Sequence, residues 1–87
     1  MTHLTQALAR ALACPHTARS FATLDKHAQA GRFDRSEAIR LLRRNARDAT
    51  PHTPSTVRDA LAERLLDAWH SARVERVAQR LANDFPA

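Results

Sequence analysis

Arg40, Arg43, Arg44 and Arg47 recur at i, i+3, i+4 and i+7, so on a helix they share one narrow sector. Ile39, Leu42 and Ala46, with Ala38 and Leu41 beside them, fall on the opposite side. Four guanidiniums on one face repel one another, and only Glu37 and Asp48, at the ends of the stripe, offer relief within the segment. Such a face calls for an anion opposite it. Nucleic-acid phosphate is the commonest candidate, because arginine contacts release its condensed counterions. The competing reading pairs the stripe with acids of a neighbouring helix, such as Asp59, Glu63 or Asp67.

The remaining reactive residues support less. Arg73, Arg76 and Arg80 form a second stripe, but Glu75 interrupts it and Asp84 follows it, which is ordinary decoration of an exposed helix. The histidines at 3, 16, 27, 52 and 70 show no paired metal spacing, and Cys14 with His16 supplies two ligands where zinc needs four. Asp59 and Glu63 share a helix face without any sign of a cleft. No serine has the flanking glycines of a nucleophile elbow. The sequence therefore predicts no catalytic residues, no metal and no cofactor: a binding protein rather than an enzyme.

Composition narrows the class further. Eighty-seven residues make one domain, and the charge of +5 comes from fourteen basic residues, thirteen of them Arg, against nine acidic. Arginine's planar fork suits phosphate oxygens and base edges, although Ala- and Arg-rich composition also follows from GC-rich coding. Eighteen residues are Ala, while Leu, Ile, Val and Phe together number only seventeen, so the core must be thin. A thin core gains from a partner subunit, which makes a homodimer an expectation. No apolar run is long enough to span a membrane, and residues 1–13 do not have the form of a secretory signal. A single cysteine fits a reducing, cytoplasmic setting. With no Tyr and few β-branched residues, strands have little to be built from.

The elements that would position the stripe follow from caps and breakers. Leu4, Leu8 and Leu12 mark a first helix over about 2–13, ended by Pro15. A second should start near Thr17 or Ser20 and run to Ala30, with Phe21, Leu24 and Ala28 inward and Gly31 as its left-handed terminus. Asp34 and Glu37 predict a capping box opening a third helix that ends near Asp48. After a loop at 50–54, Thr53 as N-cap and Pro54 in first position would open the last helix. Nothing breaks its pattern to Asn83. Val57, Leu61, Leu65, Ala68 and Ala72 form one stripe, and Val74, Val77, Leu81 and Phe85 a second that has drifted round. At ~45 Å such a helix is long for this chain, so a bend or break near His70–Ser71 is expected, or else a projection that meets a partner. Trp69 belongs in a helix seam, where it could also anchor a partner interface with Val77 and Leu81.

Two local runs resemble known regulators. Gly31-Arg32-Phe33-Asp34-Arg35-Ser36-Glu37-Ala38-Ile39-Arg40 is similar to a segment of ParD-type antitoxins and other ribbon-helix-helix repressors. There, glycine, a basic residue and an aromatic lead into a helix opening Ser-Glu-(Ala/Val)-(Ile/Val)-Arg. The match spans roughly twenty residues with the preceding helix included. It implies a helix from Ser36 and a DNA-binding role. Those repressors read DNA through an N-terminal strand, and residues 8–20 are not strand-like here, so their reading residues do not carry over. Thr53-Pro54-Ser55-Thr56-Val57-Arg58-Asp59-Ala60-Leu61 looks like the opening of a recognition helix in GntR-like helix-turn-helix repressors. That resemblance implies that Ser55, Thr56 and Arg58 face base edges and phosphates, braced by residues 36–48. The connecting loop is longer than the usual tight turn and lacks its glycine.

The expectation is thus an all-α bundle of four or five helices with a possible helix-turn-helix core and a long last helix or helix pair. Its expected role is that of a small basic regulator, repressor or antitoxin-like, that binds double-stranded DNA. The alternative is a helical adaptor or inhibitor whose arginines meet an acidic protein surface.

Overall fold

The computed structural model describes residues 2–84, and side chains from Leu4 onward; Phe85 and the side chain of His3 lie outside the described residues. Four helices account for nearly all of it: α1 (Thr2–Leu12), α2 (Pro15–Gln29), α3 (Arg35–Ala49) and α4 (Ser55–Asp84). There is no strand among the described residues, and no helix is long and apolar enough to cross a membrane.

Helix ends follow local chemistry, with three departures from expectation. Pro15 opens α2 instead of merely closing α1, since its fixed φ is already helical and its missing N–H would have been an orphan in any case. α2 ends in a Schellman arrangement: Gly31 takes φ +69°, its N–H donates to Ala28 O, and Arg32 N–H donates to His27 O at 2.8 Å. Asp34 caps α3 by accepting from the Ser36 N–H at 3.0 Å; Glu37 adds no reciprocal bond, so the cap is one-sided. At the far end of α3 the Thr50 hydroxyl donates to Ala46 O at 2.7 Å. α4 starts one residue later than expected, with the Pro54 carbonyl accepting from the Val57 and Arg58 amides.

The core gathers Leu24 of α2, Leu42 and Ala46 of α3, and Leu61, Leu65, Leu66 and Trp69 of α4. α1 contributes Ala7 and Ala11 rather than its leucine line: Leu4 and Leu8 only flank the core and Leu12 is exposed. Small residues at the buried face of α1 let it pack closely on the rest of the bundle. Between α2 and α3 lies a polar layer that periodicity did not reveal. The Asn45 amide donates to Thr17 Oγ1 at 2.9 Å and accepts from the Ser20 hydroxyl at 3.2 Å, all three residues being buried. Every buried side-chain polar atom among the described residues has a partner.

α4 is one unbroken helix of 30 residues, without the break expected near His70–Ser71. It contains neither Pro nor Gly, and residues 72–82 are Ala, Arg, Glu, Gln and Leu apart from two Val. Its length matches the 48 Å long dimension of the molecule. Beyond His70 it is exposed, apart from a half-buried Arg73, although Arg76 still reaches Asp25 of α2.

Candidate nucleic-acid interface

The stripe forms as the spacing predicted: Arg40, Arg43, Arg44 and Arg47 are all exposed on α3, opposite the buried Ala38, Leu42 and Ala46. Tertiary packing then adds a fifth arginine. α4 folds back along α3, as ion pairs in reversed chain order show: Arg35 with Glu63, and Arg43 Nε with Asp59 at 2.8 Å. This return brings Arg58 onto the stripe, and Arg40, Arg43, Arg44, Arg47 and Arg58 together line a shallow concavity of about 220 Å³.

Pairing within the fold neutralises little of it. Among the described residues, Arg43 alone of the five has an ion-pair partner, and that pair is more than half exposed, where it is worth ~1 kcal/mol or less. Glu63 is taken by Arg35, which is not part of the stripe. Arg58 is half-buried, and its Nε donates to the Thr53 carbonyl at 3.1 Å, which fixes the guanidinium while its terminal nitrogens stay without protein partners. Such pre-ordering reduces the side-chain entropy lost when an anion is bound.

Ser55 and Thr56 are exposed on the first turn of α4 but do not line the concavity, so the proposed recognition-helix trio is split. Arg58 belongs with the α3 stripe, and the two hydroxyls stand apart from it. Spacing gave no hint of this grouping, because the five-residue link from Ala49 to Ser55 had to set where Arg58 arrives. Sequence reasoning also missed Arg19 and His16 of α2, which lie on the other flank of α3 beside Arg44.

Trp69 is not a surface anchor. It is 2 % exposed, its ring stacks on Phe33 at 5.3 Å, and the Arg73 guanidinium sits over the ring at 5.6 Å. Its indole N–H donates to Asp25 at 2.9 Å, and Asp25 also pairs with Arg76. Trp69 therefore fills an intramolecular seam, and the partner-facing role expected of it is corrected: burial leaves it almost nothing to present. Val77 and Leu81 are different, 48 % and 53 % exposed, with Val74 at 67 %. Cys14 is half-buried with a free thiol, and no three His, Cys, Asp or Glu residues gather among the described residues as a metal would require.

No family model, curated protein or solved structure matches this chain.

Proposed function

We propose that this protein is a small basic regulator that binds double-stranded DNA through backbone phosphate, with Arg40, Arg43, Arg44, Arg47 and Arg58 as the contacting residues. The observation that carries the proposal is the convergence of five guanidiniums on one concavity where, among the described residues, only Arg43 has an acidic partner. Like charges brought together in this way cost stability in the free protein and are relieved when an anion arrives. A repressor or an antitoxin-like regulator working in the cytoplasm is the role that suits such a chain, and the two local resemblances agree with it. Ser55 and Thr56, exposed nearby, are the candidates for contact beyond phosphate.

The test is fluorescence anisotropy with a random-sequence duplex at about 50 and 200 mM salt, conditions between which a multi-phosphate contact loses orders of magnitude in affinity. Micromolar binding that collapses at the higher salt supports the proposal. Absence of binding at the lower salt removes it.

A second reading has its own observation. The distal part of α4 exposes Val74, Val77 and Leu81 on a face turned away from the buried side of the helix, a surface suited to a second copy or another protein. As an adaptor or inhibitor, the chain would set its arginines against an acidic protein surface. Absorbance at 260 and 280 nm of the purified protein, with light scattering, separates co-purified nucleic acid from a protein complex.

A further inference from the structure

Across α3 from the five-arginine concavity lies a second one, of about 240 Å³, between α2 and α3. Its lining includes His16, Arg19, Ser20, Thr23, Arg44, Asn45 and Asp48. Several of these polar groups are already committed: Ser20 and Asn45 bond to each other, and the Thr23 hydroxyl donates to the Arg19 carbonyl. Among the described residues, the imidazole of His16, the guanidiniums of Arg19 and Arg44, and the carboxylate of Asp48 are exposed and have no partner. Arg44 lines both concavities, so it stands at the crest of α3 between them.

We infer that α3 is the element that enters the major groove, with one phosphate backbone held on its α4 side by Arg43 and Arg58 and the other on its α2 side by Arg19 and His16. The inference rests on the duplex reading above and adds a second contact surface and an orientation to it. A helix with its side chains is about 10–12 Å across and the major groove of B-DNA about 12 Å wide. A helix seated in that groove therefore meets a backbone on each flank, whereas one lying along a single strand needs cations on one flank only. α3 has arginines on both flanks and at its crest. Arg44, at the crest, is the stripe arginine placed to reach base edges, where arginine most often engages guanine. Asp48 is the one acid in the second concavity and opposes the phosphate it would face.

The experiment measures the salt dependence of anisotropy with a random-sequence duplex for the full chain and for Arg19→Ala, Arg58→Ala, Asp48→Asn and Arg64→Ala. All four positions are at least partly exposed, and Arg64 lines neither concavity. Circular dichroism confirms that each variant keeps its helices. The expected result is that Arg19→Ala and Arg58→Ala each make the slope of log K against log salt shallower by about 0.9. Arg64→Ala leaves the slope unchanged and Asp48→Asn tightens binding. A normal slope for Arg19→Ala beside a reduced one for Arg58→Ala overturns the two-flank seating and leaves the first concavity standing. Asp48→Asn without effect also counts against the second contact. If the unaltered chain does not bind at about 50 mM salt, the duplex reading itself falls, and the seating with it.

Discussion

The indole N–H of Trp69 donates to the carboxylate of Asp25 at 2.9 Å, joining α2 to the middle of α4 across 44 residues of sequence. Asp25 also receives Arg76, and Arg73 lies over the same ring, so four residues from two helices close around one bond. This contact lies at the last buried residue of α4. The buried residues of α4, from Leu61 to Trp69, all lie at or before it, and nearly everything after it is exposed.

Asp25→Ala leaves the buried indole N–H without an acceptor, and an unsatisfied donor of this kind costs about 1–3 kcal/mol. Trp69→Ala removes the ring itself and its stack on Phe33, for about 3–5 kcal/mol. Urea denaturation followed by circular dichroism measures both; equal midpoints for Asp25→Ala and the unaltered protein would show that the bond contributes nothing.

Asn45→Ala strips the α2–α3 interface of its shared partner. The Thr17 and Ser20 hydroxyls lose their common bonds in a buried site, with an expected cost of about 1–3 kcal/mol. A thermal melt of this variant beside Thr17→Val, which removes a hydroxyl and keeps the volume, shows whether the layer acts as a unit. Simple addition in the double variant would mean that it does not.

Gly31→Ala isolates a backbone effect. Nothing lies within 4 Å of a Cβ placed there, so any loss comes from φ +69° and not from a clash. The left-handed region costs an L-residue roughly 1–2 kcal/mol. Gly31→Asn should lose less than Gly31→Ala, since Asn tolerates that region better, and the order of their denaturation midpoints is the check.

Asp59→Asn frees Arg43 from its acidic partner at the five-arginine concavity. Because the pair is exposed, folding stability should change by less than about 1 kcal/mol. Binding to duplex DNA at low salt should tighten. Unchanged anisotropy would show that Arg43 takes no part in binding.

Val77→Glu with Leu81→Glu changes only exposed positions and should leave the stability of dilute protein within about 0.5 kcal/mol. Sedimentation of both proteins over a range of concentrations tests the partner surface. If the unaltered chain self-associates through this stripe, the double variant sediments as a monomer throughout.

Short-range rules located most of the elements. The arginine sector on α3, the Asp34 cap and the Gly31 terminus were legible because each depends on residues within one or two turns. The start of α2 was misplaced, since Pro15 can both end one helix and begin the next, and only the course of the chain decides which it does. The break expected in α4 rested on length, not on any breaking residue, and the backbone continued because nothing in 55–84 interrupts its hydrogen bonds.

By itself the sequence determined an all-α chain and one helix face crowded with arginine, since helical period and caps are local properties. Only the tertiary structure decided that Arg58 and Arg19 flank that face, that Asn45 is buried with Thr17 and Ser20, and that Trp69 turns inward while Val77 and Leu81 stay exposed. These relationships depend on how the helices dock, and docking is set by burial summed over the whole core: no short window of sequence contains that sum.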